Sequence, residues 1–267
     1  MDDLLDTKDR WQKPSALRGV QADLDLLKSN LKLLNDDYGS DFQALPPYEE
    51  IMKYGYGVGY TKVDAETSFK MLRHLKPKRY IEVGSGISTY YSSRAKALNE
   101  AEGHPMEIIC IEPYPKDSLY KIDGIQVIDK LVQDVDLDFF SQLEDGDVLF
   151  IDSSHSLKID SDVAYLMLDV LPSIAVGVHI HIHDIPFPFN HPYPAELYMF
   201  NKKWPMVWNE PMVVQTFLAF NDSFRLNFSA SMVQHHDEDF FRDHVQSFDP
   251  ELGYVNTISS IWLDRVK

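Results

Sequence analysis

Apolar positions along the chain follow two rhythms, a step of three and four and a short unbroken run, and together they predict most of the elements. Leu17, Val20, Leu24, Leu27, Leu31 and Leu34 fall at helical steps, so the pattern predicts a helix over residues 16–36. Its apolar stripe is no wider than packing on the chain's own core requires, which favours a flap on the domain over a dimer contact. Residues 43–62, QALPPYEEIMKYGYGVGYTK, have no period and predict a loop or lid, whose Tyr54, Tyr56 and Tyr60 either cover a ligand or anchor the segment. Asp64 is expected to cap a helix with Ala65, Phe69, Leu72 and Leu75 on one face, ended by Pro77. Short β-rich runs follow: RYIEV (79–83), EIICIE (107–112), IQVID (125–129), VLFID (148–152) and VHIHI (178–182). Helical stretches at 89–101 and 157–171 separate several of them. Strands alternating with helices imply right-handed crossovers and a doubly wound, mostly parallel α/β sheet. The tail predicts a helix (210–220), a strand (223–230), a charged insertion (234–252) and a last strand (256–264).

Composition narrows the class of ligand. The chain has 267 residues, a net charge of −17 and a pI near 4.9. A nucleic-acid backbone or an anionic membrane needs a basic footprint, so neither is expected as partner. A small ligand, neutral, cationic or held with a metal ion, fits better. No apolar run approaches the ~20 residues that span a bilayer, and the acidic start MDDLLDTKDR lacks the apolar stretch of a signal peptide. The single cysteine, Cys110, reads as a buried strand residue, and a reducing, cytoplasmic setting is expected.

The first strand of the α/β pattern runs into Gly84-Ser85-Gly86 and then a helix. Glycines there let the backbone approach a ligand, and the new helix offers unpaired N–H groups. The next strand ends in Glu112, a carboxylate able to accept from both hydroxyls of a ribose, so the pair points to a nucleoside ligand. The third glycine of the dinucleotide pattern is missing: Thr89 stands at that point, after Ser88.

The set EVGSGIST, IEPYP, GDVLFIDSSHSLKIDSDV, LPSIAVGVHIHIHDI and WNEP resembles class I S-adenosylmethionine-dependent methyltransferases. It is most similar to small-molecule O-methyltransferases with Asp-Ser-Ser-His after the fourth strand, over roughly residues 60–264. The resemblance implies a Rossmann-like seven-stranded sheet with an antiparallel last strand, an N-terminal helix and lid segment over 1–60, and a methyltransferase domain over 61–267. It implies S-adenosylmethionine as cofactor, with Glu82, Gly84, Ser85, Gly86 and Thr89 around the methionine moiety and Glu112 on the ribose. Asp134 would lie near the adenine amino group, and Asp152 would border the same cofactor.

Ligands of open α/β sheets sit at the carboxyl ends of strands, and two such ends carry reactive groups: Asp152 with His155, and His183 with Asp184. Methyl transfer to a hydroxyl needs an in-line approach and loss of the hydroxyl proton, which a metal assists and a histidine near neutrality accepts. The resemblance implies Asp152, His183 and Asp184 as metal ligands and His155 as base, with Asp152 and Asp184 also catalytic. A nitrogen donor at His183 puts Mg²⁺ in doubt and leaves Mn²⁺, Fe²⁺ or Zn²⁺ open. At ~3.3 Å per residue, His179 and His183 are roughly 13 Å apart, so one ion cannot hold both. His179 and His181 read as core histidines with satisfied hydrogen bonds. Asn209 reads as a helix cap, Trp208 and the proline-rich loop 186–205 as the acceptor pocket, and His235-His236-Asp237-Glu238 as an exposed turn.

The expected activity is methyl transfer to a hydroxyl of a sugar, phenol or natural product. Two alternatives use the same scaffold: a metal-dependent, for instance oxidative, enzyme, and a non-catalytic cofactor-binding protein that assembles through its N-terminal helix into a homo-oligomer.

Overall fold

The structure is a computed structural model and describes residues 2–251 and 258–267. Among them, seven strands form one sheet: β1 (Arg79–Val83), β2 (Glu107–Ile111), β3 (Ile125–Ile128), β4 (Val148–Ile151), β5 (His179–Ile182), β6 (Phe224–Ser229) and β7 (Ile261–Arg265). Their order is β3-β2-β1-β4-β5-β7-β6, with β1 to β5 mutually parallel and β7 antiparallel to both its neighbours. This is the expected Rossmann-like, doubly wound sheet. Every residue of β4 is buried, as a strand covered by helices on both faces requires. The order reverses between β1 and β4, where a crevice opens at the carboxyl ends of the strands.

The principal helices are α1 (Leu24–Gln43), α2 (Lys62–Leu75), α3 (Ile87–Ala101), α4 (Asp162–Tyr165), α5 (Glu210–Leu218), α6 (Ala230–His236) and α7 (Glu238–His244). Helix α1 starts eight residues later than the leucine spacing predicts. Asp23 caps it, accepting from the amides of Asp25 and Leu26, while Leu17 has φ +44° and lies outside any helix. Its buried face, Leu27, Leu31 and Leu34, joins the main core against α2 and β6. The predicted lid contains a helical turn at Tyr48–Ile51 and a 3₁₀ turn at Met52–Tyr54. Helix α2 is capped by Thr61, not Asp64, because Thr61 Oγ1 accepts from the Asp64 amide; Asp64 turns inward and is fully buried. The helix predicted from 157 begins at Asp162, capped by Ser161, and continues through a π segment at Leu166–Val170; Ile159 stays exposed.

Of the charged insertion, residues 234–244 fall in α6 and α7, with Asp237 capping the second, so the His235–Glu238 stretch is a helix junction and not a free turn; position 252 lies outside the described residues. The predicted last strand starts at Ile261; positions 256 and 257 of that prediction lie outside the described residues. A buried Lys70–Glu66 pair on α2 ties three segments together. Lys70 Nζ donates to Asn35 on α1, and the amides of Gln246 and Ser247 donate to Glu66. Among the described residues, no helix is long and apolar enough to cross a membrane.

Candidate active site

Strand pairing brings the glycine turn and the fourth strand's end together. Val83 pairs with Ile151, the Asp152 amide donates to Val83 O at 2.9 Å, and Gly84 follows with φ +91°. A Cβ on Gly84 would stand 2.3 Å from the Asp152 carbonyl oxygen, so the turn admits only glycine. A cleft of about 490 Å³ opens beside this contact, walled by Gly84, Glu112, Gln133, Asp152, Ser153 and Asp162 among others. A smaller recess next to it is bounded by Tyr56, Ser85, Gly86, Glu112 and Lys116. Glu112 stands between the two, accepting from Ser85 Oγ at 3.1 Å and from the Tyr114 amide at 2.8 Å.

Of the expected cofactor contacts, Gly84, Ser85, Gly86, Glu112 and Asp152 wall these spaces. Glu82, Thr89 and Asp134 do not. Thr89 is buried beneath the turn, its Oγ1 accepting from the Gly86 amide. Glu82 is buried behind the turn inside β1, where Ser88 Oγ and Cys110 Sγ donate to it. Burial pushes its carboxyl up to about 8, against the hydrogen bonds from Ser88 and Thr89. Asp134 is exposed, and the neighbouring Gln133 reaches the cleft instead. The Gln133 Oε1 is buried and has no hydrogen-bond partner among the described residues.

Asp152, His155 and Asp184 converge at the reactive strand ends. His155 Nε2 lies 3.4 Å from Asp152 Oδ1 and 3.2 Å from Asp184 Oδ2. Both His155 (φ +57°) and Asp184 (φ +58°) are left-handed, turning their side chains out of the strand direction toward each other. One donor atom from each of the three residues lies within 4.8 Å of the others. Atoms bound to one ion at ~2.1 Å are separated by roughly 3.0–3.4 Å; the two His155 distances lie in that range, so these residues could hold a divalent cation with two oxygens and one nitrogen.

His183, expected as a ligand, is not part of that set. It is fully buried among three carboxylates, with Nδ1 3.3 Å from Asp152 Oδ1 and 3.7 Å from Asp184 Oδ2 and Nε2 3.4 Å from Asp64 Oδ2, and Tyr60 packs on its ring at 4.7 Å. His155 supplies the nitrogen of that set. Asp64 in turn accepts from Thr61 Oγ1 and the Ser259 amide, while Ser259 Oγ donates to Asp184.

Charge explains the protonation states. Burial alone would raise Asp152, but the rings of His183 and His155 beside it hold its carboxyl well below the usual range. Burial opposes charge on His155, yet Asp152, Glu210 and Asp184 outweigh it and push the ring up to about 10. A histidine near neutrality was expected; this one is an imidazolium unless positive charge enters the cluster. Burial raises Asp184 and Glu210.

His181 lies in the core, stacked at 4.3 Å on Trp262 with Phe150 at 4.4 Å, but neither of its ring nitrogens has a hydrogen-bond partner among the described residues. His179 bonds Asp264 at 2.7 Å, away from the site. Trp208, expected at the acceptor pocket, packs 4.5 Å from the His155 ring. Asn209 holds the cap position of α5 without capping it: its Oδ1 accepts from the Leu157 amide. Glu210 and Asp64 are the residues that pattern reading missed.

A family model described as a methyltransferase domain matches residues 81–185, from β1 through the end of β5 and over both reactive strand ends. An uncharacterized protein of Archaeoglobus fulgidus is 38% identical over 93 residues, covering 33% of this chain. The match spans 40% of that curated relative's length. An O-methyltransferase from Bacillus cereus solved in complex with SAH is 12% identical, covers 90% of this chain and 100% of its own, and has a TM-score of 0.49. A SAM-dependent methyltransferase from Archaeoglobus fulgidus is 13% identical over 81% of this chain and 98% of its own, at a TM-score of 0.37. Residues 81–185 thus match a methyltransferase domain, and they lie within a seven-stranded sheet of order β3-β2-β1-β4-β5-β7-β6, the Rossmann-like architecture that the sequence resemblance implied.

Proposed function

We propose that this protein transfers a methyl group from S-adenosylmethionine to a hydroxyl of a small metabolite such as a sugar, phenol or natural product, assisted by a divalent cation. One observation carries the reading: Asp152 belongs at once to the wall of the nucleoside-sized cleft and to the cluster with His155 and Asp184. A cofactor in the cleft and an acceptor over the cluster would therefore meet at Asp152. Gly84, Ser85, Gly86 and Glu112 would hold the cofactor, with Gln133 at its base and Asp152 at the junction.

Asp152, His155 and Asp184 would hold the cation, whose charge lowers the pKa of an acceptor hydroxyl. With nitrogen in the set, Mn²⁺, Fe²⁺ or Zn²⁺ is favoured over Mg²⁺. His155 Nε2 either joins the ligand set or takes the acceptor's proton. Both uses need that nitrogen free of its own proton, which the surrounding carboxylates resist until positive charge lies among them. Trp208 would wall the acceptor space.

The test is formation of S-adenosylhomocysteine with a panel of hydroxylated acceptors, after metal stripping and with each divalent ion returned. His155→Ala should keep cofactor affinity and lose about 10²-fold or more in turnover. Full turnover in that variant sinks the role of His155, and no turnover with any acceptor or ion sinks the activity.

A further inference from the structure

We infer that Glu210, the first residue of α5, is the positioning residue of His155: it fixes the ring so that Nε2 faces Asp152 and Asp184. The inference rests on the reading of that cluster as the reacting centre. Glu210 is 1% exposed, and its Oε2 lies 2.8 Å from His155 Nδ1. Its other oxygen has only a long contact, 3.5 Å, from Ser153 Oγ. A buried carboxylate without strong partners is costly, so the ring is the group this side chain is buried to meet.

The chain around both residues is held separately. The amides of Asn209 and Glu210 each donate to His155 O at 3.2 Å. The Asn209 side chain accepts from the Leu157 amide at 2.7 Å and donates to Leu157 O at 3.3 Å. These four bonds hold the loop that carries His155 in its left-handed conformation, and none uses the Glu210 carboxylate. The side chain therefore sets a different variable, the rotation of the imidazole. An imidazole rotates about a broad, two-fold torsion, so a fixed backbone alone leaves the ring free to turn over and present Cε1 in place of Nε2 to the cluster. Glu210 accepting at Nδ1 removes that freedom, as a carboxylate behind a catalytic or metal-bound histidine does. Trp208 covers one face of the ring and limits the remaining tilt.

The experiment compares the wild type with Glu210→Gln and Glu210→Ala, in the full chain. Proton spectra should show a far-downfield, exchange-protected ring N–H in the wild type that vanishes in His155→Ala. It should be lost in E210A and displaced in E210Q. Turnover should fall about tenfold to a hundredfold in E210A, with less loss in E210Q. Affinity for S-adenosylhomocysteine should be unchanged, because Glu210 does not touch the cleft; the same measurement shows that the variants fold. The inference is overturned if the wild type lacks the resonance, if E210A keeps it, or if turnover survives its loss. Should no acceptor be methylated by the wild type, the proposed activity fails, and the resonance still decides the role of Glu210.

Discussion

Replacing Glu82 with Gln exchanges one oxygen for an NH₂ group inside β1 and asks how the protein carries an acid behind its glycine turn. The Glu82 carboxyl is raised from 4.5 to about 8, burial being the largest cause, so the folded protein holds it protonated at neutral pH. Because the folded-state pKa is the higher one, its stabilising contribution is whole below about pH 4.5 and is lost as pH rises towards 8. Each pH unit between the two values costs about 1.4 kcal/mol, which accumulates to roughly 3 kcal/mol by pH 7. The amide does not titrate and avoids this cost. It still accepts from Ser88 Oγ but brings a donor facing only the Cys110 sulfur, at a cost of ~1 kcal/mol. The variant should therefore match the wild type near pH 5 and exceed it by roughly 2 kcal/mol at pH 7. Urea midpoints read by tryptophan fluorescence at pH 5, 6, 7 and 8 measure this difference, in which every other titrating group cancels. Parallel stability curves across that range would refute the buried, protonated acid.

Two further outcomes test the cleft itself. Gly84→Ala places a methyl 2.3 Å from the Asp152 carbonyl at φ +91°, so it should cost at least ~1–3 kcal/mol, lower the melting temperature and weaken cofactor binding; an unchanged melting temperature contradicts the close approach. Gln133→Ala should reduce S-adenosylhomocysteine affinity about tenfold with little change in stability, since Gln133 walls the cleft and its buried acceptor has no partner among the described residues. Equal affinities by calorimetry would remove Gln133 from the adenine site.

Much of the scaffold is written locally. β2 and β4 were legible as apolar runs of strands buried on both faces, β1, β3 and β5 as short β-rich runs interrupted by polar residues, and the helix that begins at Asp162 because Val163, Leu166 and Val170 keep a helical step. Helix starts were less legible, since a cap depends on which nearby side chain turns back to the amides. Asp23, Thr61 and Ser161 do so, whereas Asp64 and Asn209 stand at plausible places and bond elsewhere. His183 could have been placed from the strand's alternation alone. It shares a face with His181, so it enters the layer where Tyr60 and Asp64 lie, while Asp184 leaves the strand at positive φ.

By itself the sequence determined the parallel α/β order, the glycine turn with its following acid, and the two strand ends where Asp152, His155 and Asp184 stand. These follow from short-range periodicity and from the rule that such sheets bind ligands at their carboxyl ends. Tertiary packing was needed to bring the His155 and His183 rings to the same two carboxylates, to set Glu82 and Thr89 beneath the turn, and to place Glu210 and Asp64 against the two rings. Glu210 is 55 positions from His155, and Asp64 is 119 from His183. Such partners are chosen by packing of α5 and α2 against the sheet, and no local pattern of residues records which distant side chain a buried imidazole will face.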